Sequence, residues 1–361
     1  MADYSAEINV FRRGDVLPRP PRPQTEAEIV ERWRGKKSDP LISIICHTYN
    51  HHEFIEDALN GFLMQDVGYP FEIIVHDDAS SDGTREIIER YCSLYPSIIR
   101  PILQKENQWS KGSRPRKFTI PRAKGRYIAL CEGDDYWVSS EKLTKQFAHF
   151  KPGVSMLFHD AVRVKDGVCV DASYFGGGGA PVSGYTPHQM VGVAKIPTAS
   201  ALFLAKPFRD VEHPDIINGD HLIWSSLASE GSAVFLPECL SAYRHHPGGV
   251  WSSRSAVEKM RPTLRSRSVI FYSVPPRFRS AALRAYCSEC IGLLNEVLSA
   301  GDMSAALYIF KHLCGGALKM FPLCKFSSSD NFKDLIVIAR YFTISLLKPF
   351  CEFYFARKFR K

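Results

Sequence analysis

No uninterrupted apolar run in this 361-residue sequence reaches the ~20 residues needed to cross a bilayer. The nearest candidates, 335–339 and 341–347, are separated by Arg340 and closed by Lys348-Pro349, which argues against a spanning helix. A disulfide framework is missing too. The ten cysteines are scattered without the spacing of a small secreted domain, so reduced thiols are expected. The single Cys287-Ser288-Glu289-Cys290 has no second pair with which to hold zinc. The formal net charge is +8, yet the basic residues are dispersed and no helix-turn-helix, RNA-recognition or zinc-finger signature occurs. No nucleic-acid partner is expected; a membrane surface, a nucleotide or an acidic glycan fits the charge better. The run Gly176–Gly179 lacks Gly-x-Gly-x-x-Gly framing and reads as a mobile loop. The N-terminal stretch lacks the apolar core of a signal peptide, and Pro18-Arg19-Pro20-Pro21-Arg22-Pro23 favours extended chain. Residues 1–37 are therefore expected to be extended or poorly ordered, and the chain to be made and kept in the cytoplasm.

What is present is apolar material for one sizeable core and an appendage, at 45% hydrophobic residues. Leu41–Cys46 reads as a strand that ends in His47-Thr48-Tyr49-Asn50 and is followed by helical spacing at Phe54, Ile55, Ala58, Leu59, Phe62 and Leu63. Phe71–Val75 repeats the plan, running through His76-Asp77-Asp78-Ala79-Ser80-Ser81-Asp82-Gly83-Thr84 into a helix marked by Ile87, Ile88 and Tyr91. Successive strand-loop-helix units imply a parallel sheet with right-handed crossovers.

A third strand, Tyr127–Leu130, leads into Cys131-Glu132-Gly133-Asp134-Asp135-Tyr136-Trp137. The C-terminal end of such a strand is where open α/β sheets bind ligands. Adjacent carboxylates repel, and two arrangements relieve that: a divalent ion bridging a diphosphate, or a solvated acidic turn. The oxygens of Asp77, Asp78, Ser80 and Asp82 likewise suit either turn capping or the N–H and O–H groups of a base and a ribose. Farther on, Asn218-Gly219 delivers Asp220 to the start of an amphipathic helix, where it serves as a cap or as a base. The segment Tyr243-Arg244-His245-His246-Pro247-Gly248-Gly249 combines a forked cation with imidazoles and a flexible hinge.

The order and spacing of these segments, over roughly Pro40 to Ser253, resemble the family-2 inverting glycosyltransferases. The resemblance implies a GT-A fold, a Rossmann-like α/β architecture whose mostly parallel central sheet is flanked by helices, here with a C-terminal helical extension. It implies that Thr48, Tyr49, Asn50, Asp77 and Asp78 surround the nucleoside of a nucleotide-diphospho-sugar, a UDP-sugar being commonest, and that Asp134 lies near the ribose. Asp135 and His246 would ligate Mn2+ or Mg2+, Arg244 would meet the phosphates, and Asp220 would deprotonate the acceptor hydroxyl. The chain departs from the family pattern at Glu132-Gly133 and at Ala79, where glycine is commoner.

The expected domains are 38–260 for catalysis and 261–361 for a helical region. Its end mixes Phe350, Phe353, Tyr354, Phe355 and Phe359 with Arg357, Lys358, Arg360 and Lys361. Such a segment suits either the headgroup layer of a membrane or packing on the catalytic domain. The function expected is metal-dependent sugar transfer to a glycan or lipid-linked acceptor in cell-surface polysaccharide assembly, peripheral on the cytoplasmic face of the membrane. The alternatives are a GT-A-like scaffold without turnover and a sugar-1-phosphate nucleotidylyltransferase.

Overall fold

The apolar runs at 42–48, 71–77 and 127–130 form strands buried almost throughout, as continuous hydrophobic segments of a parallel sheet covered on both faces should be. The computed structural model describes residues 11–33, 39–176, 179–192, 194–209, 216, 219–249 and 255–324. The strands are β1 (Ile42–Thr48), β2 (Phe71–Asp77), β3 (Ile99–Leu103), β4 (Tyr127–Leu130), β5 (Tyr136–Trp137), β6 (Val154–Lys165), β7 (Val168–Asp171), β8 (Gly184–Tyr185), β9 (Leu202–Leu204) and β10 (Ser232–Arg244). The helices are α1 (Glu26–Glu31), α2 (Ile55–Leu63), α3 (Thr84–Leu94), α4 (Arg116–Thr119), α5 (Lys142–Ala148), α6 (Pro187–Gly192), α7 (Ala205–Arg209), α8 (Gly219–Leu227), α9 (Ala256–Ser273), α10 (Arg279–Ser299) and α11 (Met303–Met320).

One sheet runs β3-β2-β1-β4-β9-β6-β10-β5, with β7 paired to β6 and β8 to β10. Its first four strands are parallel, as the strand-loop-helix reading requires. Short β9 then enters antiparallel between β4 and β6, and β5 pairs antiparallel with β10. The apolar residues 233–236 open β10, which continues through Pro237 to Arg244. Register shifts between Leu236 and Cys239 and between Cys239 and Ser241 accommodate the proline.

The chain divides into two compact units, the first within 1–186, 195–215 and 230–252, the second within 187–194, 216–229 and 253–361. The sheet belongs to the first. The second is helical: α10 packs against α6, α9 and α11, and α8 against α6 and α9. It therefore claims the Asp220 segment, which the linear division at 260 assigns to the catalytic domain. Cys287 and Cys290 are buried on α10, and burial pushes the Cys287 thiol up to about 12 and the Cys290 thiol higher. Burial thus disfavours the thiolate that redox exchange needs. The basic-aromatic segment 350–361 lies outside the described residues, and no described helix is long and apolar enough to cross a membrane.

The N-terminal expectation needs correction. Residues 11–33 include α1, closed by a capping box in which Thr25 and Glu28 satisfy each other's backbone N–H groups. Ile29 and Trp33 enter the main core, Trp33 edge-on to Phe71 at 5.7 Å. The polar composition hid two anchors, Ile29 on α1 and Trp33 in the turn that follows it.

Lys142 is a second feature that composition conceals. It is fully buried, its Nζ donating to Gln146 Oε1 at 2.8 Å and lying 4.1 Å from the Trp137 ring centre. Burial pushes its pKa from 10.5 down to about 7. Between those values the unfolded chain holds a proton that the folded chain does not, so stability from this group rises with pH across the window. Lys142→Met should therefore stabilise the fold by a few kcal/mol at pH 7, because each tenfold loss of proton affinity on folding corresponds to about 1.4 kcal/mol. The gain should shrink toward pH 10. Urea unfolding at several pH values tests this, and a gain independent of pH would mean that the buried amine is charged.

Candidate active site

Three loops at the C-terminal ends of β1, β2 and β4 are laced together by side chains acting on backbone. Asn50 takes the left-handed conformation at φ 54°, which Asn tolerates well. Its N–H donates to Ser80 Oγ at 2.8 Å, and its Oδ1 accepts the Ser81 N–H at 3.0 Å. His51 N–H donates to Thr84 Oγ1 and His52 N–H to Asp82 Oδ2. Asp77 holds Ser80 by both the hydroxyl and the N–H. Ala79 sits at φ 63°, a conformation that costs glycine little, which explains why glycine is the commoner choice there. Tyr49, which precedes Asn50, is 46% exposed.

Asp78 is buried and spends both carboxylate oxygens on the chain, accepting the N–H groups of Gln108 at 2.8 Å and Trp109 at 3.0 Å. It thereby anchors the loop in which the Arg114 guanidinium lies 3.8 Å from the Trp109 ring centre. Asp78, expected beside the nucleoside, therefore also holds this loop in place.

Gly133 brings the β4 loop against the β1 loop. A Cβ there would lie 2.8 Å from Thr48 Cβ, so only glycine permits this approach, and Gly133 N–H donates to His47 O at 2.9 Å. Antiparallel pairing of Tyr136 with Ala242 and of Trp137 with Ser241 then carries Arg244 and His246 alongside the acidic pair. His246 Nε2 lies 3.0 Å and His51 Nε2 3.8 Å from Asp134 Oδ2. Among the described residues, these three form the group whose ligand atoms converge within 4.8 Å. Phe54 packs on the His246 ring at 4.8 Å and edge-on to His51 at 6.3 Å.

The two acids of the pair face different partners. Asp135 is buried and turns inward, accepting the Arg244 N–H at 2.8 Å. Burial and the neighbouring Asp134 charge push its carboxyl well above the usual range. Asp134 faces the histidines. Burial raises its carboxyl too, but the hydrogen bond from His246 and the field of His51 outweigh it and hold the group below its ordinary value. Burial pushes His51 down, which favours the neutral imidazole that ligates metals. Asp134 Oδ1 and His51 Nδ1 are buried without hydrogen-bond partners. A carboxylate with an orphaned oxygen beside two imidazoles fits a divalent cation, and its nitrogen content suits Mn2+ better than Mg2+.

Arg244, expected to meet phosphate, also has partners within the protein. It pairs with buried Asp57, donates to Asp134 O at 3.1 Å and lies 4.2 Å from the Tyr136 ring centre. It braces the acidic loop against α2. Sequence reasoning missed both Asp57, one of several acids on a helix, and His51, a signal readable only once 246 is known to lie beside it. Asp220 lies in the first turn of α8 in the second unit, partly exposed, its Oδ1 accepting the His221 N–H at 2.8 Å.

Residues 43–170 match Glycosyl transferase family 2. The chain is 30% identical over 211 residues to the putative teichuronic acid biosynthesis glycosyltransferase TuaG of Bacillus subtilis, covering 57% of this chain and 79% of that protein. The chain belongs to glycosyl transferase family 2. An uncharacterized protein of Mycobacterium tuberculosis is 32% identical over 217 residues, 59% of this family-2 chain and 61% of the relative's length. The fold is that of S. aureus TarS 1–349, solved in complex with UDP-GlcNAc, at a TM-score of 0.57 and 18% identity over 75% of this chain and 81% of that one. This establishes the GT-A architecture, its sheet mixed beyond β4.

Proposed function

We propose that this family-2 chain is a metal-dependent inverting glycosyltransferase that moves a sugar from a nucleoside-diphosphate donor to a hydroxyl acceptor in cell-surface polysaccharide or lipid-linked glycan assembly. The observation that carries the reading is the convergence of Asp134, His246 and His51 beside the interlocked loops of β1 and β2. TuaG, named for teichuronic acid biosynthesis, and TarS, solved with UDP-GlcNAc, favour the polysaccharide setting and a uridine donor.

Asp134, His246 and His51 would hold Mn2+, which when bound would neutralise the donor's diphosphate. Tyr49 offers an exposed ring to the base, and Thr48 and Asn50 border it. Arg244 and Asp57 keep the acidic loop in place. By family resemblance Asp220 accepts the proton of the acceptor hydroxyl as its oxygen bonds to the anomeric carbon. The bond from that carbon to the diphosphate breaks in the same displacement, and the nucleoside diphosphate leaves with the electron pair. Contact of the 350–361 tail with an anionic membrane surface forms part of the proposal and rests on sequence.

Thermal unfolding with UDP, GDP, UDP-GlcNAc and UDP-glucose, each with and without Mn2+, tests the reading. A ligand held at a hundred times its Kd stabilises by ~2.7 kcal/mol. A shift is expected with a uridine compound only when Mn2+ is present, followed by release of nucleoside diphosphate from the sugar donor. Pyrophosphate release from a sugar 1-phosphate and a nucleoside triphosphate would favour the nucleotidylyltransferase. Absence of any shift or product would favour the scaffold.

A further inference from the structure

The residue after Asp220 is held by an arrangement that the proposed chemistry does not yet use. His221 lies on α8 within the helical unit, and Arg267 of α9 donates from Nη1 to its Nδ1 at 3.3 Å. Arg267 donates from Nη2 to Glu289 Oε2 of α10 at 3.2 Å. The Arg267 side chain is only 9% exposed, while Glu289 is 34% exposed.

A guanidinium has only donors and keeps its proton, so Nδ1 of His221 must present its lone pair. The ring proton then sits on Nε2, and His221 is fixed as one neutral tautomer. Burial lowers its pKa, and the Arg267 charge acts in the same direction against the opposing field of Asp220. A histidine whose Nδ1 is already committed to a cation is a poor proton acceptor there. That leaves Asp220 as the base on this helix turn.

The His221 N–H also donates to Asp220 Oδ1, so the imidazole and the carboxylate belong to one structural unit in the first turn of α8. A short helix of nine residues has little intrinsic power to fix its first turn. The chain Glu289–Arg267–His221 ties it to two helices of 18 and 21 residues.

We infer that Arg267 and Glu289 are positioning residues for Asp220: by clamping His221 from α9 and α10, they fix the helix turn that presents the base. The inference rests on the reading of Asp220 as the base. Its physical half stands independently.

Two measurements on the full chain test the two halves. Long-range proton–nitrogen correlation on 15N-histidine protein reads the His221 tautomer directly. The Nε2–H form is expected in the wild type, with the Nδ1 nitrogen shift moved off its hydrogen-bonded position in Arg267→Met; an Nδ1–H form in the wild type, or an Nδ1 shift unchanged in Arg267→Met, would overturn the inference whatever the enzyme does. The second is release of nucleoside diphosphate from the nucleotide sugar that gives the Mn2+-dependent thermal shift. Arg267→Met and Glu289→Ala should each lower kcat about 10- to 100-fold, as misplacement of a catalytic group by about 1 Å does. The donor KM and the thermal shift should change less than about threefold.

In an Asp220→Asn background neither substitution should lower kcat further, because residues acting through one group are not additive. An equal loss in both backgrounds, or no loss in wild type, overturns positioning while leaving the base intact. If Asp220→Asn itself leaves turnover unchanged, the base assignment fails, and the inference fails with it. Should Arg267→Met not fold cooperatively, Glu289→Ala at the more exposed end reads the same cycle.

Discussion

Asp134→Ala should abolish the Mn2+-dependent thermal shift with a nucleotide donor and lower transfer by at least about a thousandfold, ~4 kcal/mol of barrier. The substitution removes the carboxylate that lies 3.0 Å and 3.8 Å from the two imidazoles, together with the oxygen that has no protein partner. Asp135→Asn supplies the contrast. Its carbonyl oxygen can still accept the Arg244 N–H that Asp135 accepts at 2.8 Å, so the loop should keep its shape and most of the metal response should survive. Titration of Mn2+ into each variant in the presence of UDP separates the two acids. Loss of the response in Asp135→Asn with retention in Asp134→Ala would restore the assignment that the linear motif suggests and overturn the geometric one.

Asp220→Asn should lower kcat by about 10² to 10⁴, the usual range for a positioned general base, while leaving the Mn2+-dependent donor shift near its wild-type size. The carboxamide preserves an oxygen able to accept the His221 N–H, so the first turn of α8 should persist while the ability to take a proton is lost. Purified variants with matched unfolding curves, compared for nucleoside diphosphate release and for donor-induced shift, give the answer. A variant that loses donor binding as severely as turnover would assign Asp220 to the donor instead.

Much of the parallel half of the sheet was legible because Ile42–Thr48, Phe71–Asp77 and Tyr127–Leu130 are buried along nearly their whole length, and continuous burial leaves a continuous apolar pattern. The mixed half was legible only in part, as apolar strands at 201–204 and 233–237. A three-residue strand such as β9 carries too little pattern to fix its direction, and β10 conceals its length behind Pro237. The same holds for single buried polar groups: nothing local distinguishes Lys142 from a solvated lysine, because its environment is built by Trp137 and Gln146.

The sequence by itself determined the family, the α/β plan and the segments from which a site is built, since each is written in consecutive residues whose spacing follows strand and helix periods. The tertiary structure decided which atoms of those segments meet. Pairing of β5 with β10 brings position 246 to position 134, and the inward turn of Asp135 leaves Asp134 facing His51. Those choices depend on register and on competition for hydrogen bonds between residues about a hundred positions apart, which no local pattern encodes.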